Sequence, residues 1–153
     1  MWVKESNYQL KLANQIFLFV NIFMSIAWIL SCFILFYFQS SFLLELNFPL
    51  ICFAIGFPME TLRLYLGYSG NIKNNVLDIA GFLILTTFIE LPIHIYLLIS
   101  LQDMLHRIGF IIQCAQLILL PFEIVLNFII LRYSLHERNL QFQMMYSNDI
   151  KMQ

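Results

Sequence analysis

Residues Glu60–Asn71 read E-T-L-R-L-Y-L-G-Y-S-G-N, opening inside a long apolar run and closing on small polar residues. Glu60 and Arg63 are three apart, so a helix sets them on one face within reach of each other. Neither belongs in hydrocarbon without a partner. Tyr65 and Tyr68 suit the headgroup zone, where an apolar ring and a polar tip both find solvent. Gly67 and Gly70 permit close backbone approach and a left-handed helix end. The Gly/Ser/Asn cluster through Asn71 is then expected to meet water. The stretch predicts the water-facing end of a membrane helix that carries its own ion pair.

The rest of the chain agrees. Of 153 residues, 61% are hydrophobic and 11% charged, whereas soluble chains carry about 25% charged residues. So small a globule cannot hide that much apolar side chain from water, so lipid must be the solvent. The net charge of −1 gives no reason to expect nucleic acid as a partner. Cys32, Cys52 and Cys114 all lie in apolar runs and read as small packed residues rather than disulfide partners. There is no N-x-S/T sequon. The first apolar run is longer than a signal-peptide core of about 7–15 residues, so it is expected to stay as an uncleaved anchor.

Helical spacing gives four spans: Gln15 to Phe38, Leu46 to Leu66, Ile79 to Leu101 and Ile108 to Leu131. Each is near the roughly 20 residues that cross about 30 Å of hydrocarbon. The predicted fold is all-α, one domain over residues 1–153, an antiparallel four-helix transmembrane bundle. Short links are expected at Ser40, Ser41 and Glu45 and from Gln102 to Arg107. Pro49, Pro58, Pro92 and Pro121 fall within spans, where neighbouring helices satisfy the freed carbonyls. Lys4, Lys11, Arg63, Lys73, Arg132, Arg138 and Lys151 fall on one side and Arg107 on the other. The excess places both termini and the loop from Gly67 to Asp78 in the cytoplasm. Beyond Leu131, Leu135, Phe142 and Met145 keep a roughly helical spacing. That tail reads either as an extension of the fourth helix along the membrane surface or as a frayed end.

Polar residues inside the spans fall in stripes. The first helix has Asn14, Asn21, Ser25, Trp28, Cys32 and Gln39; the second has Pro49, Cys52, Gly56, Glu60, Arg63 and Gly67. The third has Thr86, Thr87, Glu90 and His94, and the fourth Gln113, Gln116, Glu123 and Asn127. Small and hydrogen-bonding residues are what membrane helices use to pack, so the stripes read as bundle seams. Glu60, Glu90 and Glu123 also admit a proton-coupled transporter or channel, because intramembrane acids serve proton relays. Against it, Arg63 stands three residues from Glu60 and His94 four from Glu90, and Glu123 has Gln or Asn partners available across helices. The three histidines lack zinc-ligand spacing, and no P-loop, G-x-S-x-G or H-E-x-x-H occurs. The expectation is a non-enzyme with no catalytic, cofactor-binding or metal-binding residues.

Four segments resemble the transmembrane protein 17 family, small tetraspan proteins of the ciliary transition zone. The hallmark is Glu60–Asn71, with Glu60, Arg63, Leu64, Tyr65, Leu66, Gly67, Tyr68, Gly70 and Asn71. The second is D-I-A-G-F-L-I-L-T-T-F-I-E-L-P-I, Asp78 to Ile93, matching at Asp78, Ala80, Gly81, Phe82, Leu91 and Pro92. The others are F-E-I-V-L-N-F-I-I-L-R, Phe122 to Arg132, and Y-Q-L-K-L-A-N-Q-I-F-L-F-V-N, Tyr8 to Asn21. Glu90 stands where the family often carries an uncharged polar residue, and the tails are short beside those of relatives. The resemblance implies a structural membrane component at the base of the cilium. Its implied partners are the other membrane and cytosolic subunits of the tectonic-like, or Meckel-syndrome, complex. That assembly supports cilium assembly and a diffusion barrier for ciliary membrane proteins.

Overall fold

The computed structural model describes residues 2–38, 47–101 and 107–151; the links expected at 40–45 and 102–106, and Gln39, lie outside the described residues. Helix α1 spans Trp2–Phe38 and α2 spans Asn47–Lys73. The third rod is continuous and has three parts: α3 (Val76–Leu85), a π-helical segment (Thr86–Glu90) and α4 (Leu91–Leu101). Helix α5 spans Arg107–Lys151. All four rods are long and apolar enough to cross a membrane.

The helices run past the expected spans at their polar ends, because a helix bonds its own backbone whether the flank is lipid or water. The tail after Leu131 therefore continues α5 to Lys151 without a break.

The rods close into a ring in chain order. α1 packs on α2 and α5, and the third rod packs on α2 and α5, leaving α2 and α5 diagonally opposed. Cross-helix partners fix the antiparallel register. Asn14, Asn21 and Trp28 of α1 meet Asn127, Glu123 and Gln113 of α5 in descending order. Glycines set the approach of α2 to its neighbours. A Cβ on Gly67 would lie 2.8 Å from the Phe82 ring and 2.9 Å from Leu18 Cδ2; one on Gly70 would lie 2.9 Å from the Ile79 nitrogen.

The end of α2 differs from expectation. Gly67 and Gly70 are helical, and the left-handed residue is Asn74, at φ 51°. The Asn75 amide donates to the Gly70 carbonyl at 3.1 Å, the six-to-one bond of a Schellman ending. Asn75 in turn caps α3 by accepting from the Leu77 amide. The loop expected from Gly67 to Asp78 is thus only Asn74 and Asn75. Nor do Ser69 and Asn71 face water; both are buried. Ser69 donates to Asp78 at 2.8 Å, and Asn71 donates to Gln15 at 2.7 Å and the Lys11 carbonyl at 3.0 Å. These bonds tie the α2–α3 corner to itself and to α1.

The π segment has a local cause. Pro92 has no N–H, and in a regular helix its ring would strike the carbonyl four residues back. Widening the preceding turn relieves this, and the Leu91 amide reaches back five residues to the Thr86 carbonyl.

Candidate functional site

The molecule is polar within and apolar without. Phe19, Phe23, Leu30, Phe33, Ile84, Phe88, Ile118 and Phe128 are exposed, while Asn14, Asn21, Ser25, Glu60, Arg63, Thr86, Glu90, His94, Gln113, Gln116, Glu123 and Asn127 are buried. Such an inversion is stable where lipid is the solvent. Among the described residues, the stripes predicted from the sequence turn inward, with the exception of Thr87, which faces out because the π segment shifts the phase at that point.

Arg63 organises the centre. Its Nε donates to Glu60 Oε2 at 2.8 Å and its Nη2 to Glu60 Oε1 at 2.7 Å, a bidentate fork. Its Nη1 crosses the bundle to Glu123 Oε2 at 2.5 Å. Its guanidinium carbon also lies 5.3 Å from the centre of the Phe82 ring. Asn21 donates to Glu123 Oε1 at 2.6 Å, Ser25 donates to Glu60, and Gln116 donates to Asn21 and Ser25, both at 3.2 Å. The predicted Glu60–Arg63 pair is present, and Glu123 has Asn21 as the expected cross-helix amide. Sequence reasoning missed that Arg63 also serves Glu123. The signal was one intramembrane cation among three acids.

The depth of this layer follows from helix rise. Lys11 precedes Asn21 by ten residues, Lys73 follows Arg63 by ten and Arg132 follows Glu123 by nine; at 1.5 Å per residue each separation is about 14–15 Å. That is half of an apolar core about 30 Å thick. When these cations reach the interface, the Arg63 layer lies near the bilayer midplane.

A second layer lies toward the opposite end. Trp28 Nε1 donates to Gln113 Oε1 at 2.5 Å, and Gln113 Nε2 donates to the His94 carbonyl at 3.1 Å and to His94 Nδ1 at 3.0 Å. The indole only donates and the carbonyl only accepts, so the amide has one orientation. Nδ1 must therefore accept, and the ring hydrogen sits on Nε2. Nε2 faces Glu90 Oε2 at 3.7 Å, too long for a hydrogen bond. The expected Glu90–His94 pairing is therefore a proximity, and neither Glu90 oxygen has a hydrogen-bond partner among the described residues.

Glu60, Glu90 and His94 place possible ligand atoms within 4.8 Å of one another, a cluster the sequence spacing did not reveal. A metal would need a lone pair on Nε2, and the Gln113 donor at Nδ1 puts the hydrogen there instead. Glu60 is already occupied by Arg63, Ser25 and Gln116. The chemistry of this donor set suits hydrogen bonding within the bundle.

The other predicted positions divide by face. Phe82 is buried, Leu64, Leu66, Asp78, Ala80, Gly81 and Leu91 are half-buried, and Tyr65, Tyr68 and Pro92 are exposed. Cys32 is buried, and Cys52 and Cys114 are half-buried free thiols.

The comparisons with known proteins agree with this architecture. The family described as Transmemb_17, a predicted membrane protein, matches residues 16–132. Transmembrane protein 17B of Xenopus tropicalis is 35% identical over 58% of this chain and 41% of its own length. Transmembrane protein 17 of Gallus gallus is 27% identical over 77% of this chain and 58% of its own; that of Mus musculus is 28% identical over 87% and 68%. The chain thus spans about half the length of the first two relatives. No solved structure matches it. With the family match covering most of the four rods that build the buried seam, the chain belongs to the transmembrane protein 17 family.

Proposed function

We propose that the protein is a non-enzymatic structural component of the ciliary transition zone. In this reading it supports cilium assembly and the diffusion barrier for ciliary membrane proteins by packing laterally with other subunits of the tectonic-like complex. The observation that carries it is the closed polar seam. The Glu60, Arg63 and Glu123 side chains bond to other groups of the bundle, and what remains outward is a broad apolar flank. A flank of Phe, Ile and Leu suits lipid or neighbouring transmembrane helices. The termini and the α2–α3 corner, at the cytoplasmic face by the distribution of Lys and Arg, are available to cytosolic subunits. Tagged protein is expected to concentrate at ciliary bases in ciliated cells. Uniform plasma-membrane or endoplasmic-reticulum signal overturns the proposal.

A second reading, a small proton-coupled transporter, draws on one observation: the buried Glu90 carboxyl has no hydrogen-bond partner among the described residues. It requires purified protein in liposomes to move protons and Glu90→Gln to stop the flux.

A further inference from the structure

We propose that Arg132, Tyr133 and His136 hold the headgroup of an anionic phospholipid whose acyl chain lies over Phe128 and Ile129. Among the described residues these five line an open surface groove of about 400 Å³ on α5. Their spacing, i, i+1, i+4, i+5 and i+8, keeps them on one face over two turns.

The chemistry changes along that face. Phe128 and Ile129 are apolar; one turn on, about 6 Å along α5, come a guanidinium and a phenol, and a further turn on an imidazole. All five side chains are exposed. Arg132 lies about 14 Å along α5 from Glu123, close to half the thickness of an apolar core about 30 Å across. It differs from the other arginines of this half of the molecule. Arg63 is held by Glu60 and Glu123, and Arg138 donates to the Asn74 carbonyl. Arg132 makes no hydrogen bond or ion pair among the described residues. Glu137, the acid next in sequence, does not line the groove.

A free guanidinium presents a planar fork that fits two phosphate oxygens, and phenol and imidazole N–H or O–H groups add donors. The apolar floor distinguishes a lipid from a free phosphate. The proposal does not rest on the ciliary reading.

The full chain in neutral detergent, given phosphatidylglycerol or phosphatidylcholine of the same acyl chains, tests it by native mass spectrometry. Phosphatidylglycerol should be retained at least about fivefold over phosphatidylcholine. Arg132→Gln with His136→Gln should abolish the preference and Arg132→Lys, which keeps the charge but loses the fork, should weaken it, while Arg107→Gln at the opposite end keeps it. Soluble glycerophosphate should not displace the lipid. A photoreactive phosphatidylglycerol should crosslink the unsubstituted protein at residues 128–136, a readout that needs no variant to fold. Equal retention of the two lipids, displacement by glycerophosphate, or crosslinks elsewhere only would overturn the proposal.

Discussion

Arg63 places three kinds of N–H donor, Nε, Nη1 and Nη2, on two carboxylates from diagonally opposed helices. Interhelical hydrogen bonds in membranes average about 0.6 kcal/mol, so amide pairs such as Asn14–Asn127 align helices without holding them. Removing one partner of a buried ion pair costs about 3–5 kcal/mol, because the other charges stay buried and unmatched. Arg63→Ala is therefore expected to lower the melting temperature sharply in a thiol-reactive dye assay, with Cys32 as the buried reporter. Glu90→Gln removes a carboxylate that accepts no hydrogen bond among the described residues, so its effect should stay within about 1 kcal/mol. Comparable losses for the two variants would contradict the roles given to Arg63 and Glu90. At this scale the sequence shows what is local. Glu60 and Arg63 are three residues apart and meet on any helix, whereas Arg63 and Glu123 meet only because the ring of helices brings α2 and α5 face to face across its centre.

The third rod shows how one element sets two layers. A π segment contains one residue more than the α-turn it replaces, and here it turns Thr86 and Glu90 inward with His94 while leaving Thr87 and Phe88 outside. Deleting Thr87 should convert the segment to an α-turn kinked at Pro92 and keep α4 in phase, so His94 still meets Gln113. Deleting Ile84, equally exposed but within α3, should rotate α4 by about 100° and take His94 away from Trp28 and Gln113. Trp28 packs on the His94 ring, so tryptophan fluorescence should shift red for the Ile84 deletion and stay near its original position for the Thr87 deletion. A red shift in both would show that the π segment sets no phase. The four spans are legible in the sequence because hydropathy and length suffice to mark them. Helix ends and the π segment are not. Gly67 and Gly70 suit a stop as well as a close helix contact, and only the Phe82 and Ile79 side chains beside them decide. Pro92 announces a disturbance without saying which residues absorb it.

The whole molecule places its charge unevenly. Lys11, Lys73 and Arg138 gather near the α2–α3 corner: Asn71 bonds the Lys11 carbonyl, Lys73 ends α2, and Arg138 bonds Asn74. Arg132 lies one and a half turns before Arg138 on α5 and so belongs to the same end. Arg107 begins α5 at the other end. The Lys/Arg positions alone suggested this asymmetry; the bonds at the corner add that the start of α1 and the far part of α5 share a face of the bundle with the turn. A bundle with an Arg–carboxylate layer at mid-depth resists inversion after insertion, since turning over would carry these four cations through hydrocarbon at about 2.5–3.5 kcal/mol each. Orientation should therefore be single and set by that end. In sealed cells, Lys73→Cys and Tyr146→Cys should react with a membrane-permeant maleimide and resist an impermeant one, whereas Arg107→Cys should react with both. Impermeant labelling of both Lys73→Cys and Tyr146→Cys would place the basic end outside. Labelling of only one of those two from outside would break the four-span arrangement itself, because the structure holds the α2–α3 corner and α5 on one face through Ser134 and Arg138.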